Sequence, residues 1–154
     1  EMLVMGLGEK AHILSQHAVL FEEFLAKEAQ LGRLKKLVTQ LKIPSAPILV
    51  HGHCHQKAFD AVQPIMTVLN LIPEAEIKLI ESSCCGMAGS FGYQTEHYEM
   101  SMQMAELDLL PTIRKNPKAI VVADGTSCRH QISDGTQRKA IHVAKLLASL
   151  LKSP

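Results

Sequence analysis

The sequence predicts an α/β fold: a three-layer, Rossmann-like domain with a small, mostly parallel four-stranded sheet, preceded by a long N-terminal helix. The runs PILVH (47–51), EIKLI (76–80) and AIVVA (119–123) are short, continuously apolar and bounded by Pro, Ser or Gly. Such runs read as strands covered on both faces, as parallel sheets require. The stretches between them carry apolar residues at helical spacing. A chain of 154 residues, 47% of them apolar, suffices for one compact domain.

From Gly8 to Leu31, apolar Ile13, Leu20, Phe21, Phe24, Leu25 and Leu31 fall near helical spacing without a proline, predicting one long amphipathic helix. Residues 33–41 repeat the pattern with Leu34, Leu37, Val38 and Leu41 before Pro44-Ser45-Ala46-Pro47 ends it. Residues 1–43 are therefore set apart as an N-terminal helical segment, and residues 44–154 as the α/β domain. Helices are expected over 59–70 (Val62, Met66, Leu69) and 96–110 (Met100, Met104, Leu107), with Pro73 and Pro111 as punctuation. A fourth strand is expected at 138–142 and a last helix at 143–151. Ile48, Val50, Ile77, Leu79, Ile120, Val122 and Ile141 are the expected sheet core.

Sixteen basic and fifteen acidic side chains leave a formal charge of +1, so neither a basic nucleic-acid arm nor an acidic tail is present. Aromatics make up 4% with no Trp, too few for a base-stacking platform, and no nucleic-acid partner is expected. The sequence shows no 18-residue apolar run and no charged-then-apolar leader, which points to a reduced, cytoplasmic setting. It opens on Glu1, and residues 1–7 read as the interior of a sentence, so a piece of a longer polypeptide is expected.

In an open parallel sheet the ligand crevice lies beyond the carboxyl ends of the strands. All four cysteines fall there: Cys54 after the first run, Cys84 and Cys85 after the second, Cys128 after the third. Buried structural thiols would more often lie within strands or on helix faces. A bridge between vicinal Cys84 and Cys85 is disfavoured, because adjacent Cα atoms lie about 3.8 Å apart, below the usual disulfide range. The paired Cys-x2–4-Cys elements of structural zinc sites are absent, whereas thiols brought singly from several loops suit the four outward ligand positions of an iron–sulfur cubane. Lys57 and Arg129 add positive charge nearby, and Gly86 frees the backbone to turn. His51, His53, His55 and His130 flank the cysteines, either as donors to sulfur and neighbouring carbonyls or with one of them as a ligand. No nucleophile, base and orienter assemble from the spacing, so no catalytic residue is assigned.

The segments H-G-H-C-H-Q (51–56), S-C-C-G-M-A-G-S-F-G-Y (83–93) and G-T-S-C-R-H-Q-I (125–132) resemble the cysteine-rich CCG domain. That domain occurs in iron–sulfur subunits of glycolate oxidase, anaerobic glycerol-3-phosphate dehydrogenase and heterodisulfide reductase, and at the C-terminal end of FAD-linked D-2-hydroxy acid dehydrogenases. The resemblance runs from about Pro47 to Leu151, and AVLFEEFLA (18–26) is similar to the helix that precedes such domains. It implies that Cys54, Cys84, Cys85 and Cys128 hold a [4Fe-4S] cluster, with His53, His55, Gly86, Arg129 and His130 supporting them. It also implies electron transfer from FAD carried upstream, on a flavin-binding domain or subunit, to a further electron acceptor. The whole enzyme would then be cytoplasmic or peripheral to the inner face of a membrane, and this piece alone would not turn over substrate. One departure from the pattern is Gly125, which stands where the family often has the first cysteine of Cys-x-x-Cys. A non-redox rival remains: a zinc-binding or metal-free docking module.

Overall fold

The computed structural model describes residues 6–152. Three helices lead, α1 (Glu9–His17), α2 (Phe21–Gln30) and α3 (Lys35–Thr39). Strand β1 (Ile48–His51) follows, then α4 (Cys54–Ala58), α5 (Val62–Leu69) and β2 (Ile77–Leu79). Two 3-10 turns lead into α6 (Tyr98–Leu107) and α7 (Leu109–Lys115), and β3 (Ile120–Ala123), α8 (Thr126–Thr136) and α9 (Val143–Leu150) complete the chain. The strands run parallel in the order β2-β1-β3, with Ile48 opposite both Ile77 and Ile120.

Period-two alternation along β1 divides the core into two halves. Ile48 and Val50 face a layer built from Leu25 and Ala26 of α2, Ile65, Val68 and Leu69 of α5, and Val143, Leu146 and Leu150 of α9. Leu49, Val121 and Ala123 face the opposite layer, with Ala105 of α6, Leu109, Leu110 and Ile113 of α7, and Ile132 of α8. The three-layer expectation holds. Each fully buried aliphatic side chain in these layers contributes about 1.5–3 kcal/mol.

Several sequence expectations are corrected. The N-terminal helix is two helices: Ala18 takes up extended backbone after α1, and Leu20 N donates to Glu23 Oε2 at 2.7 Å to start α2. The buried residues are Ala11 of α1 and Glu22, Leu25 and Ala26 of α2, while Ile13, Leu20, Phe21, Phe24 and Leu31 are exposed. The expected fourth strand at 138–142 reduces to one parallel bridge, Ile141 to Val122. Arg138 instead turns its guanidinium to the carbonyls of Ile113 (3.2 Å) and Asn116 (2.8 Å), and His142 Nδ1 caps α9 by accepting from Ala144 N. Extended pairing there lasts a single residue.

The expected helix over 96–110 is α6 and α7, broken at Asp108. Pro111 lies in the first turn of α7, where an amide N–H would have no intrahelical partner. The core stripe of this stretch is Ser101, Ala105 and Leu109; Met100 and Leu107 point outward. Of the expected sheet core, Ile48, Val50 and Val122 are buried, while Ile77, Leu79, Ile120 and Ile141 are only partly buried. Ile77 and Leu79 lie on an edge strand, which the central β1 covers from one side alone.

Candidate metal centre

Because β1 is the central strand, its C-terminal loop opens between those of β2 and β3, and the cysteine-bearing loops meet at one rim. Cys54 opens α4, Cys84 and Cys85 lie in the loop after β2, and Cys128 sits in the first turn of α8. Cys85 and Cys128 are buried, with Cys128 donating to Cys85 across 3.2 Å; Cys84 is half-buried and Cys54 exposed. A ring nitrogen of His51 and the sulfurs of Cys85 and Cys128 all lie within 4.8 Å of one another. The structure thus brings Cys85 and Cys128 together with His51, while Cys54 and Cys84 are the more open thiols, on the loops that follow β1 and β2.

The electrostatics follow this geometry. Cys85 is held well below the ordinary thiol range, first because the Cys128 thiol donates to its sulfur, and further by His51 and Met87 N–H. Cys128 is pushed far up by giving that bond, by burial, and by the charges of Cys85, Cys54 and Cys84. Burial also raises Cys84, as do the charges of Cys85 and Cys54, against the lowering hydrogen bond from Gly86 N, 3.3 Å from its sulfur. A cation bound between these two sulfurs would take the place of the proton they share.

His51 is 1% exposed. Its Nδ1 is pinned to Ser82 Oγ at 3.1 Å, and its Nε2 is buried without a hydrogen-bond partner. A metal-binding histidine has one nitrogen fixed and the other free in this way. The sequence named His51 only among four flanking histidines. The signal that could have singled it out is its place in β1, two residues after Leu49 and so on the face that also holds Cys85 and Cys128.

The other expected support residues divide. His53 N-caps α4, its Nδ1 accepting from His55 N at 3.2 Å while Gln56 Oε1 accepts from His53 N at 3.1 Å. This cap fixes the turn that presents Cys54. His55 is exposed and packs on Phe59. His130 is exposed and bonds Tyr93 OH at 2.7 Å. Arg129 is committed to the carbonyls of Ala123 (3.0 Å) and Asp124 (2.6 Å), holding the end of β3 against α8. Lys57 donates to the carbonyl of Ser82 and clamps the Cys84–Cys85 loop. Cys54 and Cys128 lie in the first turns of α4 and α8, whereas after the vicinal pair the chain makes 3-10 turns before α6.

Two glycines are required by close approach. Gly86 has φ +88°, and a Cβ there would sit 2.0 Å from Ser101 O, itself bonded by the buried Gln131 Nε2 at 3.0 Å. At Gly125 a Cβ would meet His53 Cδ2 at 2.6 Å and Cys128 Sγ at 2.9 Å. Beyond Gly125 opens a cavity of about 320 Å³ lined in part by Glu22, His53, Asp124 and His142. Glu22, 3% exposed, accepts from Gln56 Nε2 at 3.0 Å and so links α2 to the cap of α4.

Fold and site together define an α/β domain with a thiol-rich, histidine-backed centre at the carboxyl ends of its strands, competent to bind a soft metal. The chain is similar to one subunit of the anaerobic glycerol-3-phosphate dehydrogenase of Escherichia coli, 28% identical over 138 residues, which is 90% of this chain and 34% of that protein. It is also similar to D-2-hydroxyglutarate dehydrogenases: that of Pantoea ananatis, 36% identical over 58 residues (38% of this chain, 6% of the relative), and that of Escherichia coli, 28% identical over 78 residues (51% and 8%). The chain spans about a third of the length of the glycerol-3-phosphate dehydrogenase subunit and far less of the others. No family model and no solved structure matches. These similarities relate the chain to dehydrogenases, that is, to oxidoreductases. Among the described residues, no helix is long and apolar enough to cross a membrane.

Proposed function

We propose that the chain is a CCG-type electron-transfer domain in which Cys54, Cys84, Cys85 and Cys128 hold an iron–sulfur cluster of the [4Fe-4S] kind. The observation that supports it best is the buried trio His51, Cys85 and Cys128, ready-made around one point, with the charges of Cys54 and Cys84 reaching the same sulfurs. A sulfur-dominated donor set suits iron–sulfur clusters and other soft metals, and not oxygen-ligated magnesium or calcium. When bound, the cluster supplies a one-electron carrier. Around it, His51 presents Nε2 to the sulfurs, Lys57 holds the vicinal loop, and the His53–Gln56 cap holds Cys54.

In this reading the domain belongs to a flavin-linked dehydrogenase of small hydroxylated substrates, 2-hydroxy acids among them, and takes electrons from reduced FAD on a partner domain or subunit. Exposed Cys54 and nearby apolar Leu20, Phe21 and Phe59 offer that partner a rim on which to settle. An acceptor beyond it, with the enzyme in the cytoplasm or at the inner face of a membrane, completes the proposal. The N-terminal segment 1–43 and the domain 44–154 are proposed as its two parts.

A second reading has its own support. The trio spans no more than 4.8 Å, compact enough for one tetrahedral zinc with nitrogen and sulfur ligands. Anaerobic purification followed by iron, acid-labile sulfide and zinc analysis separates the two. A brown protein with near-equal iron and sulfide supports the cluster; a colourless protein with one zinc overturns it in favour of the second.

A further inference from the structure

The two buried thiols have a chemistry of their own that does not depend on which metal they bind. The Sγ atoms of Cys85 and Cys128 stand 3.2 Å apart, although the two residues are 43 positions apart in the chain. A disulfide requires about 2.05 Å, so closure needs only about an ångström of movement, within reach of small side-chain rotations. Gly86 at φ +88° lets the loop turn directly behind Cys85, and Cys128 stands on the regular first turn of α8. The vicinal partner is a poor competitor, since adjacent residues in a trans chain are too close at Cα for an unstrained bridge. Cys54 and Cys84 are the more exposed thiols of the four, and they stand outside the pair.

We propose that the metal-free protein closes a Cys85–Cys128 disulfide on contact with a peroxide, and that this bridge bars metal from the site until it is reduced. The step balances. The Cys85 sulfur attacks one peroxide oxygen, giving a sulfenic acid and one water; the Cys128 sulfur then displaces the hydroxyl, forming the S–S bond and a second water. The two thiols lose two electrons and two protons, and hydrogen peroxide is reduced to two waters. The bridge removes two of the sulfurs from the donor set, including both members of the buried trio that are thiols. Cys54 and Cys84 remain, too few to hold a cluster. Exposure to oxidant would thus leave the domain parked in a reversible disulfide and spare Cys85 and Cys128 from sulfinic and sulfonic acids, which are not recovered.

The bar on metal entry rests on the thiol metal centre proposed above, whereas the bridge itself does not. The experiment uses the whole chain, metal-free and reduced, treated with one equivalent of hydrogen peroxide. Remaining thiols are then alkylated and the protein is digested without reductant for mass spectrometry, alongside Cys84→Ser and a Cys54→Ser/Cys84→Ser double variant. The expected result is a loss of two hydrogens, a cross-linked peptide joining Cys85 to Cys128 in the double variant as in the parent, and alkylation of Cys54 and Cys84 in the parent. The oxidised form should melt higher than the reduced one, as a bridge restricts the unfolded chain. It should take up neither zinc nor iron until dithiothreitol is added. A Cys54–Cys84 bridge, a sulfinic acid at Cys85 with no cross-link, or metal uptake by the oxidised protein would each overturn the proposal. Iron and sulfide content of anaerobically purified protein is read separately, so failure of the cluster reading leaves its own mark.

Discussion

Cys128 donates its thiol proton to Cys85 across 3.2 Å in a part of the molecule where neither side chain is more than 3% exposed. Two sulfurs and an imidazole nitrogen without a hydrogen-bond partner share that interior point, and the thiols are small beside the aliphatic side chains packed around them. Cys128→Ala should therefore cost little stability, about 1 kcal/mol for the small volume removed, while abolishing metal binding. Cys85→Ala should do the same. Urea denaturation and metal analysis on the same samples check both halves. A variant that loses several kcal/mol yet keeps its metal would show the thiols to be packing.

His51→Ala tests the nitrogen that the trio requires. Residues that orient or supplement metal ligands commonly change affinity about 10–100-fold, and His51→Ala should weaken metal affinity within that range. Ser82→Ala, which releases only Nδ1, should have a smaller effect in the same direction. Competition with a chromophoric chelator measures both, and equal affinities for all three proteins would exclude His51 from the centre.

Gly86→Ala should be the most damaging single methyl in the chain. The backbone there is left-handed, and the new Cβ would overlap the Ser101 carbonyl at 2.0 Å, which Gln131 already holds. The strain of a non-glycine residue at positive φ and the displacement of α6 together should cost about 2–4 kcal/mol. A fall in thermal midpoint with loss of metal is expected; Gly89→Ala, where nothing lies within 4 Å of the added atom, should cost clearly less.

The strand pattern was legible because continuous burial on both faces leaves a continuous apolar run, and β1 and β3 are such strands. The helix edges were less so. The stripe Met100, Met104, Leu107 has the right spacing but the wrong phase, since the small residues Ser101 and Ala105 let α6 approach its neighbours while the larger methionine and leucine face outward. Likewise Phe21 and Phe24 are exposed and charged Glu22 is buried, an inversion no hydropathy pattern foretells, because its cause is the partner Gln56 thirty-four residues away. The cysteines were legible by position, each just past a strand. What the spacing did not reveal was their unequal burial, nor that Lys57 and Arg129 use their charges on backbone carbonyls.

Glu22 gives the pH dependence. Burial pushes its carboxyl above the usual value of 4.5, and the nearby charge of Asp124 adds to that, while its backbone hydrogen bond, His142 and Gln56 pull the other way. A carboxyl with a raised folded-state pKa binds its proton more tightly in the folded protein than in the unfolded chain. Its contribution to stability is complete below the unfolded value and is lost as pH rises through the folded one, so at neutral pH the buried carboxylate is a net cost. Glu22→Gln keeps an acceptor for Gln56 Nε2 and removes the charge. The variant should match or exceed the parent in thermal midpoint at pH 7, and the gap should close as pH falls below 4.5. Melting curves of the metal-free proteins across that range check the sign. A variant less stable at pH 7 than at pH 4, relative to the parent, would mean that the ionised carboxylate is the form the fold prefers.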